Sequence, residues 1–191
     1  MKTAFAKLIV VPAVFAMGIV MTTTARADCG GFSKVKRGAT LQRQAWYGDD
    51  PIVGMWQVNF TAEGNGPGGP PDNTPIDAAL VVWHADGTEI MNSGRPAQDG
   101  NFCMGIWEKT GWSSYKLNHF ALGNDTSNAP GGIGNPAGPT HIVEYVSLSR
   151  DGKSYNGSFV LDAFDTSGNN VAHIIGVVAA KRITVDTASV F

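Results

Sequence analysis

The sequence predicts an all-β fold, an eight-stranded antiparallel up-and-down barrel preceded by a short N-terminal helix. Three observations predict it. Beyond residue 51, runs rich in Val, Ile, Trp, Tyr and Phe recur between clusters of Gly, Pro, Asn and Asp, without helical periodicity. Eight such runs stand in the chain, the number that closes around side chains or one small ligand. Short and long connections alternate strictly, as they do when a meander sends alternate turns to opposite ends.

Residues 1–27 read as a secretory signal. Lys2 and Lys7 give a positive flank, residues 8–21 are apolar, and Ala25-Arg26-Ala27 forms an A-x-A cleavage site. The apolar run is broken by Pro12 and is short for a membrane span. The expected mature chain is therefore secreted or periplasmic, with no integral membrane segment. Cleavage would remove Lys2, Lys7 and Arg26 but no acid, leaving the remainder more acidic than the full chain, whose net charge is −2. A mildly acidic protein without basic runs has no footprint for nucleic acid.

Residues 28–51 form an N-terminal segment in which 38–46 is the one expected mature helix, ended by Asp49-Asp50-Pro51. The barrel is expected over 52–185, followed by a tail at 186–191. Its strands are read at 52–62, 77–84, 88–92, 102–109, 112–121, 140–149, 154–164 and 170–183. Ala85-Asp86-Gly87-Thr88, Thr110-Gly111 and Asp151-Gly152 make tight turns, since Asp-Gly tolerates positive φ at both central residues. The longer Gly/Pro-rich connections then gather at the other end as a mouth.

Pairing across the turns assigns the faces, because side chains alternate along a strand. Leu148 is set opposite Tyr155, Val146 opposite Gly157, Glu144 opposite Phe159 and Ile142 opposite Leu161, all inward. With Phe164 opposite Asn169, strand eight turns Ala172, Ile174, Gly176, Val178, Ala180 and Arg182 inward. Across Thr110-Gly111 the inward set is Phe102, Met104, Ile106, Tyr115, Leu117 and His119. Strand one offers Gly54, Trp56, Val58 and Phe60. For strands two and three, the pairs Trp83 with Ile90 and Val82 with Met91 fit equally well.

Gly54-Met55-Trp56 opens the first strand after a short helix, and Arg182 ends the eighth. In this the chain resembles the lipocalin-like (calycin) barrels, which have a G-x-W motif there and a cation over the tryptophan ring. The T-D-Y-type motif of true lipocalins is absent. The resemblance implies structural roles for Gly54, Trp56 and Arg182, a cation–π contact between the last two, and an interior that holds a small, largely apolar molecule.

The expected ligand-facing residues are Phe60, Phe102, Met104, Tyr115, Leu117, Tyr155 and Phe159, and the expected partner is a small apolar or aromatic molecule. Gly157, Gly176, Ala172 and Ala180 are small inward residues that leave volume beside them. Two polar residues fall on faces that should be apolar, His119 and Glu144, on neighbouring strands. A buried carboxylate costs several kcal/mol unless paired or protonated, so each is the other's natural partner. The pair suits general acid/base catalysis in a cofactor-independent isomerase, cyclase or lyase, with Tyr115 or Tyr155 donating to developing charge. It equally suits ligand recognition or a structural hydrogen bond.

His84 and Glu89 are expected to pair across their tight turn. His141 and His173 read outward and cannot converge with His119 on a metal, so no metal is expected. No phosphate loop or G-x-S-x-G elbow occurs, and no cofactor is expected. Cys29 and Cys103 either form a disulfide, which across so long a loop adds roughly 4 kcal/mol, or remain two free thiols.

Overall fold

A computed structural model describes residue 48 and residues 50–97, 100–125 and 134–191. The signal segment, the helix expected at 38–46 and Cys29 lie outside the described residues. Eight strands are present: β1 Gly54–Ala62, β2 Pro75–Trp83, β3 Thr88–Ser93, β4 Phe102–Lys109, β5 Ser114–Asn124, β6 Pro136–Leu148, β7 Ser154–Phe164 and β8 Asn170–Arg182. Each pairs antiparallel with the next, and β8 returns to β1 to close the barrel. Among the described residues no helix is long and apolar enough to cross a membrane.

The tight turns close one end, where five aromatic rings fill the barrel. Trp56 meets Tyr155 edge-on at 4.9 Å between centroids, and Trp83 lies 5.5 Å from Trp107 and 5.9 Å from Tyr155. Tyr115 completes the layer 5.9 Å from Trp107. Such edge contacts add about 0.5–1.5 kcal/mol each beyond the area they bury. Three of these rings also anchor their polar tips: Trp56 Nε1 donates to the Ile52 carbonyl, Trp107 Nε1 to the His84 carbonyl and Tyr115 OH to Asp50.

Arg182 locks the floor from below. Its guanidinium lies 4.1 Å from the Trp56 ring centroid, as the resemblance implies. It donates to the carbonyls of Gly152 at 2.7 Å and Val53 at 3.0 Å, and also to that of Pro51. Gly54 makes room for it. Its φ is +135°, and a Cβ there would stand 2.7 Å from Arg182 Nη1.

The expected faces of β1, β6, β7 and β8 are found, with Leu148, Val146, Glu144 and Ile142 opposite Tyr155, Gly157, Phe159 and Leu161. Phe164 faces Asn170 rather than Asn169, through an irregularity after Ala163 that leaves the inward set of β8 unchanged. The face of β4 is the reverse of the expected one. Lys109 pairs with Tyr115, so the connection takes in Ser114, and Thr110 and Gly111 both donate to the Ser114 carbonyl. That odd offset from a two-residue turn keeps Tyr115, Leu117 and His119 inside but turns Phe102, Met104 and Ile106 out. Cys103, Gly105 and Trp107 face inward instead.

Neither expected pairing of β2 with β3 occurs. Trp83 pairs with Glu89 and Val81 with Met91, and all four are buried. The expected His84–Glu89 surface pair is therefore replaced by a turn in which His84 hydrogen-bonds Thr88 through the backbone.

Replacing Arg182 with Met is expected to lower unfolding free energy by about 2–4 kcal/mol, since several carbonyls lose a charged donor along with the ring contact. Arg182→Lys should recover only part of this, because an ammonium lacks the planar fork. Urea unfolding followed by tryptophan fluorescence measures both.

Candidate functional site

Above the aromatic floor, the register of β3 to β6 sets three titratable side chains side by side. Glu89 and His119 both pair with Gly105, from opposite sides of β4, and Glu144 follows on β6. His119 Nδ1 donates to Glu89 Oε2 at 3.2 Å across the bare backbone of Gly105. A Cβ on Gly105 would lie 2.5 Å from His119 Cβ and 2.7 Å from Glu89 Oε2. On the other side, His119 Nε2 stands 3.7 Å from Glu144 Oε1, at ion-pair range but beyond a hydrogen bond. All three side chains are buried.

The expected His119–Glu144 pair is thus a carboxylate–imidazole–carboxylate row. Three buried polar atoms of the row have no hydrogen-bond partner: Glu89 Oε1, His119 Nε2 and Glu144 Oε2. Leaving such a group unsatisfied costs about 1–3 kcal/mol. Of the two tyrosines considered as donors, Tyr115 is engaged with Asp50 at 2.6 Å, whereas Tyr155 OH, in the floor beneath the row, has only Trp83 beside it.

His119 and Glu144 hold their protons tightly. Burial pushes the Glu144 carboxyl up to about 7, with the Glu89 charge adding to the rise and His119 opposing it. For His119, burial disfavours the cation, but the hydrogen bond and charge of Glu89, with the charge of Glu144, outweigh it and raise the imidazole. Burial, with the Glu144 charge, also lifts the Tyr155 phenol well above its ordinary range.

Towards the long connections, the interior retains an apolar cavity of about 30 Å³, lined by Phe60, Met91, Cys103, Ile142, Phe159 and Leu161, with Asp77 and Arg95 among its polar residues. That is room for about two waters. Of the expected ligand-facing residues, Phe60 and Phe159 line it, while Tyr115, Leu117 and Tyr155 are buried deeper. Phe102 and Met104 are on the outer wall. The volume expected beside Gly176 is taken by Phe159, whose ring would meet a Cβ there at 2.7 Å.

Met91, Cys103 and Asp77 were not legible as lining residues, since their faces depend on turn lengths. The Cys103 thiol is free and buried, and burial among Glu89, Asp77 and Glu144 pushes it up to about 12. Its expected bridging partner, Cys29, lies outside the described residues. His141 contacts Asn118 and stacks on Phe120, and His173 contacts Asp162 at 2.7 Å. No group of three metal-ligating side chains occurs among the described residues.

No family model, no curated protein and no solved structure matches the chain. The site has to be read from its own chemistry.

Glu144 and His119 bind protons more tightly in the folded chain than unfolded, where their values are 4.5 and 6.5. The folded state therefore carries the extra protons as pH rises above 4.5, and their contribution to stability is lost as pH rises through the folded values. Unfolding free energy should be greater at pH 5 than at pH 8, and Glu144→Gln should flatten that slope in denaturation curves across the range. Gly105→Ala should cost about 1–3 kcal/mol by overpacking and abolish the downfield Nδ1 proton resonance of His119 in NMR spectra.

Proposed function

We propose that this chain is an exported small-molecule-binding barrel of the lipocalin-like kind, taking an apolar or aromatic ligand with a polar head group. The unpaired buried polar atoms of the Glu89–His119–Glu144 row, beneath an apolar cavity, carry the reading. A barrel kept only for its architecture gains nothing from a histidine between two carboxylates, because apolar side chains of the same shape would be at least as stable. A ligand whose ring or chain occupies the mouth half, and whose head group meets the row, satisfies those atoms on arrival. The cavity is smaller than any such ligand, so entry requires side chains to move. Met91, unbranched and flexible, is the natural gate.

A second reading, a cofactor-independent isomerase, cyclase or lyase, is favoured by one observation. His119 is oriented by Glu89 through Nδ1 and has Nε2 without a hydrogen bond, the arrangement of an imidazole poised to exchange a proton. Tyr155 would then donate to charge developing on the substrate.

Native mass spectrometry of protein purified from its own cell is expected to show a retained small molecule. A naphthalene-based probe is expected to quench the tryptophans, with Ala121→Leu weakening it about tenfold or more by filling the cavity while the melting temperature holds. No retained compound and no response to aromatic or aliphatic probes would refute the binding reading. If a bound compound is also converted, His119→Gln should abolish conversion and leave binding largely intact.

A further inference from the structure

The outer wall carries a feature that the interior does not explain. Outward residues of an antiparallel sheet facing water are ordinarily polar, and β1 and β7 largely follow that rule with Gln57, Asn59, Thr61, Asn156, Ser158 and Asp162, Met55 and Val160 apart. Strand β4 does not. Phe102, Met104 and Ile106 are its successive outward residues, 51%, 63% and 66% exposed. Register continues the patch sideways, since Met104 pairs with Ile90 on one side and with Phe120 on the other. Leu122 extends it along β5. Between Ile90, Met104, Ile106 and Phe120 lies a groove of about 360 Å³.

We propose that this face is a two-fold interface at which a second copy of the same chain docks, β4 against β4. Area supports a second copy. Phe102, Met104, Ile106, Phe120 and Leu122 are each about half to four-fifths exposed, so together they offer on the order of 500 Å² of apolar surface. A standard interface takes about 800 Å² from each partner and is about 65% apolar in homodimers, which requires close to the same apolar area. A patch of this size is among the largest that a monomer exposes, and patches of that rank are often functional.

Charge points the same way. Two copies of an acidic protein repel least where their surfaces carry little charge, and the outward side chains of the patch are apolar, with His141 stacked on Phe120 at its border. Glu108 and Lys116, one of each sign and paired in register, stand at its rim. Barrel closure leaves no strand edge for pairing through backbone hydrogen bonds, so association has to use side chains on the wall. A two-fold axis at β4 brings each patch onto its own copy, with projecting side chains of one facing the groove of the other.

Sedimentation velocity of the full secreted chain tests this between about 1 and 100 μM, the range in which an interface of this size associates. The wild type should pass from monomer to twice the monomer mass. Met104→Glu, which sets like charges against each other near the axis, should weaken the dimer about a hundredfold or more with an unchanged circular dichroism spectrum and melting curve. Ser158→Glu, on the opposite wall, should dimerise as the wild type does. A wild type that stays monomeric throughout, or a Met104→Glu chain that dimerises equally well, overturns the proposal. So does a monomer that binds phosphatidylcholine vesicles through this face, which would make the partner a lipid surface.

Discussion

A strand in a closed barrel has two faces and no edge, and every side chain on it points either into the core or out to solvent. Closure is the constraint on which everything else depends. Because the side-chain period is two, the number of residues in a turn decides which set goes inside. Trp107, Cys103 and Gly105 are interior residues only because the β4–β5 connection is an odd number of residues longer than a two-residue hairpin loop. The same offset sends Phe102, Met104 and Ile106 outward. One loop thus shapes both the core and the exposed wall.

The interior divides into two chemically distinct halves. The closed half is solid, with edge-packed aromatic rings over a guanidinium that satisfies three backbone carbonyls from two separate segments. Its polar tips are mostly bonded, and its order is the ordinary result of burying large rings. Above it, the row of Glu89, His119 and Glu144 departs from that economy. Gly105 gives the row its geometry by having no side chain at the one position where a methyl group would part the imidazole from Glu89. The site therefore depends as much on an absence of atoms as on the groups that titrate.

Much of the architecture was legible in the sequence. Strand order, closure and the alternation of long and short connections follow from local patterns of apolar residues and turn formers, and the Trp56–Arg182 contact is the one that the lipocalin-like resemblance implies. Pairings across Asp151-Gly152 were legible residue by residue, because the tight Asp-Gly turn sets the register and the serines beside Leu148 mark the outward face. The β4 strand gives no such alternation. Phe102 and Met104 are as apolar as Cys103 and Trp107, so only the turn could decide, and hydrogen bonds to the Ser114 carbonyl are not written in residue types. Glu89 was missed for the same reason: Thr88-Glu89-Ile90-Met91 permits either face until Trp83 is known to stand opposite Glu89. Of the carboxylate–imidazole–carboxylate row, the two members on β5 and β6 were identifiable and the one beside an ambiguous turn was not.

Cys103 gives the fold a consequence in time. Its sulfur is buried, and burial together with neighbouring carboxylates keeps the nucleophilic thiolate scarce. Cys103 also lines the cavity towards the long connections. A thiol reagent therefore meets it by the route proposed for a ligand, and the pace of its modification reports how often that route opens.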